Sequence, residues 1–173
     1  ALGLLVLSIV SALFLAAAAY VPGYLARERS GSSEGVFTGC LLCFLSTMTF
    51  TCVSHRFGLL WVGIEATTLA SAPLIYFHRT ARSLEAVWKY LMICSVGIAL
   101  ALLGTFVLAV AATDAGGRTL PLVLDELTAR GASLDRTWLR AAFLLLLVGY
   151  GTKAGLAPLH TWLPDAHSES PSV

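Results

Sequence analysis

Five apolar runs dominate the chain, at about residues 1–21, 36–53, 57–77, 84–112 and 141–159. Each is close to the roughly 20 residues that an α-helix needs to cross a hydrocarbon core about 30 Å thick. The first two carry no charge. The third contains only Glu65, the fourth has charges only at its start, Glu85 and Lys89, and the fifth contains Lys153. Barrel strands would be shorter and would alternate polar with apolar residues, which these runs do not do. Only 12% of the 173 residues are charged, about half of what a soluble domain uses to cover its surface. The expected fold is therefore all-α: a multi-spanning transmembrane bundle of about five helices, partnered by the lipid bilayer. The net charge of +1 supplies no basic stripe for a nucleic-acid partner.

The connections between runs are short, with one exception. The three residues of 54–56 force the second and third spans into an antiparallel hairpin. Residues 27–34 read as a polar Gly/Ser turn, and residues 78–83 close the third span to the fourth. The stretch 113–137 is longer and mixed in charge, and 120–127 is expected to form a short surface helix. Basic residues in loops normally mark the cytoplasmic side. Here Arg27, Arg29, Arg79, Arg82 and Lys89 on one side balance Arg56, Arg118, Arg130, Arg136 and Arg140 on the other. Charge alone gives no orientation.

Cys40, Cys43, Cys52 and Cys94 all lie in apolar runs. Cys40 and Cys43 have CxxC spacing, but no second pair or histidine partner follows, so they read as buried thiols and not as a metal site. No iron–sulfur cluster, haem attachment motif, dinucleotide fingerprint or Walker loop is present. The chain is expected to hold no cofactor, no metal and no redox site of its own. It opens inside an apolar run without Met and stops in Ser170-Pro171-Ser172-Val173, so residues 1–173 are read as one transmembrane domain that is part of a longer chain.

A carboxylate or ammonium at mid-bilayer costs on the order of 2.5–3.5 kcal/mol by insertion scales. Among the charged residues only Glu65 and Lys153 sit well inside a span. Glu65 lies roughly 12 Å along the third run and Lys153 roughly 18 Å along the fifth, at 1.5 Å per residue. The two spans run the same way, so a Glu65–Lys153 pair, direct or through water, is geometrically allowed if they are neighbours. Glu65, Thr68 and Ser71 or Ala72 share one side of the third helix, and Gly149, Tyr150, Gly151, Thr152 and Gly155 crowd around Lys153. Pro158 and Pro164, with His160, Asp165 and His167 nearby, predict that the fifth helix breaks there. Irregular backbone at that depth is tolerated only around a cavity or inside protein. Burial disfavours an ammonium while a neighbouring carboxylate favours it, so a lysine between these pulls can load and release a proton. The competing reading is a purely structural pair that locks two helices together. Lys89 is placed one turn inside its helix, where it can snorkel to the interface or take part in transfer. His160 is either a proton carrier, because imidazole titrates near neutral pH, or a loop hydrogen-bond donor. His55, His78 and the four tryptophans are assigned to interfacial or packing roles.

Three stretches carry a family resemblance. Leu60-Trp61-Val62-Gly63-Ile64-Glu65-Ala66-Thr67-Thr68 resembles the fifth-helix motif of antiporter-like subunits, in the version found in hydrogenase-4 and formate-hydrogenlyase membrane subunits. Trp88-Lys89-Tyr90-Leu91 with Cys94-Ser95-Val96-Gly97 resembles the next helix of that group. The long run from Gly151-Thr152-Lys153-Ala154-Gly155 through Pro158-Leu159-His160-Thr161-Trp162-Leu163-Pro164-Asp165-Ala166-His167 resembles the signature of the wider superfamily, which includes complex I antiporter-like subunits and multi-subunit sodium/proton antiporters. The resemblance implies a part of the N-terminal half-channel of a roughly fourteen-helix subunit in a prokaryotic inner membrane. It implies Glu65 and Lys153 as the proton-transfer pair, with Lys89 and His160 as further candidates. It also implies other membrane subunits of a hydrogenase- or complex I-like assembly as partners. The expected function is proton translocation within a redox-driven complex; the alternatives are a sodium/proton antiporter subunit without a redox partner and an inert membrane scaffold.

Overall fold

The computed structural model describes residues 2–27, 34–113 and 117–171. Its helices are α1 (Leu2–Arg27), α2 (Glu34–Val53), α3 (Phe57–Ile75), α4 (Ala81–Ala111), α5 (Leu124–Ala129), α6 (Arg136–Ala154) and α7 (Leu163–Glu169), with a 3₁₀ turn at Gly131–Ser133. The described residues contain isolated β-bridges but no strand. The chain is an all-α membrane bundle in which α1, α2, α3 and α4 are long and apolar enough to cross a bilayer. The fifth expected span is α6. It has 19 residues, but Arg136, Arg140 and Lys153 lower its mean hydropathy.

Local chemistry sets the ends of the elements that frame the site. The Asp135 carboxylate accepts from the backbone N–H groups of Thr137 at 2.8 Å and Trp138 at 3.1 Å, so α6 begins one turn before its apolar run. Side-chain acceptors of this kind satisfy the otherwise orphaned first N–H groups of a helix. Thr80 and Ser83 cap the start of α4 reciprocally, Ser83 N–H donating to Thr80 Oγ1 at 3.0 Å and Thr80 N–H to Ser83 Oγ at 2.9 Å. The short surface helix forms later than expected, over Leu124–Ala129, because the residues before it are extended. Phe57 N–H donates to the Leu122 carbonyl at 3.0 Å, and Arg56 bridges to Val123. The turn expected at 27–34 lies largely outside the described residues.

The centre of the bundle is α4, which packs along its length against α6 and on another side against α3. Small residues permit the α4–α6 approach. A Cβ on Gly149 would meet the Ala101 nitrogen at 2.5 Å and the Gly97 carbonyl at 2.7 Å, and a Cβ on Gly97 would meet Thr152 Cβ at 2.6 Å. Gly149 therefore admits the backbone of α4 itself. Helix α1 touches mainly α2, and its apolar side chains Leu4, Leu13 and Leu15 stand outward.

Candidate functional site

Lys153 stands in the last turn of α6, where the helix stops abruptly. Gly155 adopts φ +73°, a left-handed conformation that costs glycine little and other residues more. Gly155 N–H then donates to the Thr152 carbonyl at 3.2 Å and Leu156 N–H to the Gly151 carbonyl at 2.9 Å, closing carbonyls that the broken helix would leave unpaired. The segment after the break folds back over this end, and the Trp162 indole N–H also donates to the Thr152 carbonyl, at 2.9 Å. The break expected near Pro158 and Pro164 is present. It opens at Gly155, slightly before the first proline, and α7 begins beyond it at Leu163. A cation at a helix C-terminus is favoured by the helix dipole, which suits Lys153.

The partner of Lys153 is neutral. Its Nζ donates to Tyr90 Oη at 2.6 Å and lies 4.7 Å from the centre of the Tyr90 ring. Tyr90 is buried on α4, and its ring packs on Trp162 at 5.1 Å between centroids. The same hydroxyl is 2.7 Å from Ser71 Oγ on α3, and Ser71 donates onward to the Thr68 carbonyl at 3.1 Å. Three helices thus meet through one tyrosine.

Glu65 lies on α3 six residues before Ser71, on the side that carries buried Thr68 and Ala72 and partly buried Trp61; the Trp61 indole donates to the Ile98 carbonyl of α4 at 2.8 Å. Its Oε2 is buried without a hydrogen-bond partner. Glu65 and Lys153 make no ion pair in this structure. Cys94 is fully buried on α4. Lys153, Tyr90, Ser71 and Thr67 line a cavity of about 880 Å³ together with Tyr150, His167 and apolar side chains such as Val10, Phe44, Met48 and Ile64.

Lys89 is held differently. Its Nζ is 2.7 Å from Glu85 and 3.0 Å from Asp165, with all three side chains roughly half exposed, so it ties α4 to α7 at the outside of the bundle. His160 is exposed in the turn before α7 and is not among the cavity's lining residues; its backbone carbonyl accepts from Leu163 N–H at 2.9 Å. Sequence reasoning missed Tyr90, although one signal was available. Tyr90, Cys94, Gly97, Ala101 and Gly104 recur at helical spacing, and Tyr90 is the one large polar member of that small-residue face. Among the described residues no group of three or more His, Cys, Asp or Glu can hold a metal.

Comparison with known proteins places these elements. Residues 54–173 match the family model described as NADH:quinone oxidoreductase/Mrp antiporter, TM. The chain is 44% identical over 126 residues to the hydrogenase-4 component F homolog of Methylacidiphilum infernorum, an alignment covering 72% of this chain and 26% of that protein. It is 33% identical over 151 residues to F(420)H(2) dehydrogenase subunit N of Methanosarcina mazei, covering 84% of this chain and 28% of that protein. Among solved structures, a chain of the membrane-bound sulfane sulfur reductase, an archaeal respiratory membrane complex, superposes with a TM-score of 0.78 at 23% identity, over 96% of this chain and 31% of that one. The chain spans about a quarter to a third of the length of these relatives. It belongs to the NADH:quinone oxidoreductase/Mrp antiporter transmembrane family.

Proposed function

We propose that this member of the family is part of a proton-translocating, antiporter-like subunit of a redox-driven complex in a prokaryotic inner membrane, with Lys153 as proton carrier and Glu65 as its partner acid. One observation carries the reading: a lysine and a glutamate stand inside the bundle around α4, and among the described residues no opposite charge is in contact with either. Lys153 has only the neutral Tyr90 hydroxyl as its hydrogen-bond partner, and Glu65 has an orphaned oxygen. Buried charges are ordinarily paired, and intramembrane ionisable groups that are left unmatched are functional by default.

The chemistry is an exchange controlled by distance. When the Glu65 carboxylate approaches, the ammonium of Lys153 is favoured and the lysine loads. When the carboxylate withdraws, burial disfavours the charge and the proton leaves. The redox centre that drives such movements belongs to other subunits. The 44% identity to the hydrogenase-4 component F homolog favours this redox-linked reading over a sodium/proton antiporter without a redox partner.

The test is Lys153→Ala in the full-length subunit within its complex, with proton uptake into inverted vesicles measured by a pH-sensitive dye. Uptake is expected to fall by roughly a hundredfold, the scale of losing a positioned acid–base group. Uptake at the parent rate would overturn the assignment.

A further inference from the structure

The hydrogen bonds around Lys153 have a direction that its charge dictates. An ammonium has donors and no acceptor, so the Tyr90 oxygen must accept from Nζ at 2.6 Å. The Tyr90 O–H is then free to donate to Ser71 Oγ at 2.7 Å. The Ser71 O–H is in turn directed at the Thr68 carbonyl, 3.1 Å away, which leaves the serine oxygen open to Tyr90. All hydrogens therefore point from α6 through α4 to α3. A neutral amine lifts the requirement, because its lone pair can accept from Tyr90, and Tyr90 can then accept from Ser71. The chain has two consistent arrangements; a protonated Lys153 permits only one, and a neutral Lys153 opens the other.

The end of the chain is also informative. A backbone carbonyl is a hydrogen-bond acceptor but not a useful proton acceptor, so transfer cannot finish at Thr68. Lys153, Tyr90 and Ser71 all line the cavity, but the Lys153 ammonium is turned to the Tyr90 hydroxyl, and rotation of the Ser71 hydroxyl aims it into that space. We propose that Tyr90 is the relay through which Lys153 exchanges its proton with water in that cavity at Ser71. An N–H bond of the ammonium breaks as an O–H bond forms on Tyr90. The original Tyr90 proton passes to Ser71, and the original Ser71 proton passes to a cavity water. The products are a neutral Lys153, two re-formed hydroxyls pointing the other way, and a protonated water; no oxidant or reductant is needed. The inference rests on Lys153 being the carrier and adds the route and its exit.

Tyr90→Phe removes the hydroxyl and keeps the ring that packs on Trp162 and lies beside the ammonium. Ser71→Ala removes the next link, and Ser71→Thr restores a hydroxyl there. In the full-length subunit within its complex, Tyr90→Phe and Ser71→Ala are each expected to slow proton uptake about tenfold, the low end of acid–base contributions. The double variant should be no slower than either single one, as befits members of one network. Ser71→Thr should retain the parent rate. The solvent deuterium isotope effect on uptake should rise in Tyr90→Phe, which a purely structural loss would not produce. Should Tyr90→Phe fail to assemble, Ser71→Ala decides alone. Parent-rate uptake in Ser71→Ala or Tyr90→Phe, with Lys153→Ala inactive, overturns the relay and leaves the carrier in place. Parent-rate uptake in Lys153→Ala overturns the carrier as well.

Discussion

Two lysines of this chain meet the protein in opposite ways. Lys89 lies between two carboxylates at 2.7 and 3.0 Å on a half-exposed surface. Lys153 lies at the closed end of α6, where its Nζ meets the Tyr90 hydroxyl and the carboxylates of the bundle stay out of contact. The richly paired lysine is the one whose charge is held in place by its neighbours, and exposed pairs of that kind are screened and weak. The sparsely paired lysine has a neutral hydroxyl, and no carboxylate, as its hydrogen-bond partner. Counting ion pairs would point to Lys89, whereas the proposed carrier is Lys153.

The largest expected effect comes from breaking the packing that positions Lys153. Gly149→Val would push a side chain into the Ala101 nitrogen and the Gly97 carbonyl of α4, both within 2.7 Å of a Cβ there. Backbone atoms cannot step aside as a flexible side chain can. Destabilisation of about 3 kcal/mol is expected, at the upper end for overpacking, read as a lowered thermal midpoint of the purified membrane complex. A Gly149→Val protein that melts with its parent would show that the α4–α6 contact is looser than it looks. The Lys153 site would then not depend on it.

A smaller effect follows from the cap on the helix end. Trp162→Phe keeps an aromatic ring near Tyr90 but removes the indole N–H donated to the Thr152 carbonyl at 2.9 Å. That loss is expected to cost about 1 kcal/mol in thermal stability and to slow proton uptake, because the turn holding Lys153 is loosened. Unchanged uptake alongside lowered stability would separate the cap from the transfer chemistry.

The two neighbourhoods were unequally legible in the sequence. Length and hydropathy located every long helix, and the two prolines marked the break, which opens slightly earlier, at Gly155. The start of α6 moved back to Arg136 because the Asp135 cap is a local signal that an apolar run does not carry. The facing of Glu65 and Lys153 was a weaker expectation, resting on depth alone. Depth says nothing about rotation around the helix axis, and in this structure α3 and α6 each pack on α4 while Lys153 meets Tyr90 of α4. Tyr90 was hidden for a related reason. It sits beside Lys89 in the chain yet about 100° around the helix from it, so the conspicuous charge drew the reading to the outward residue. The role of Lys89 turned on a contact with Asp165, 76 residues away, which no local pattern encodes.

That last contact gives the smallest prediction and the sharpest test of the contrast. Lys89→Gln removes the charge that bridges Glu85 and Asp165 and keeps a side chain of similar length. The three groups are roughly half exposed, so water replaces much of what is lost, and two long side chains regain their freedom. No resolvable shift of the thermal midpoint is expected at physiological salt. High salt should leave parent and variant equally unmoved, since a screened pair has little left to screen. A clear drop in stability, shrinking as salt is added, would mean that the Lys89–Asp165 bridge holds α7 against α4. The closed end of α6 would then depend on the outer lysine, and the two neighbourhoods would form one mechanical unit.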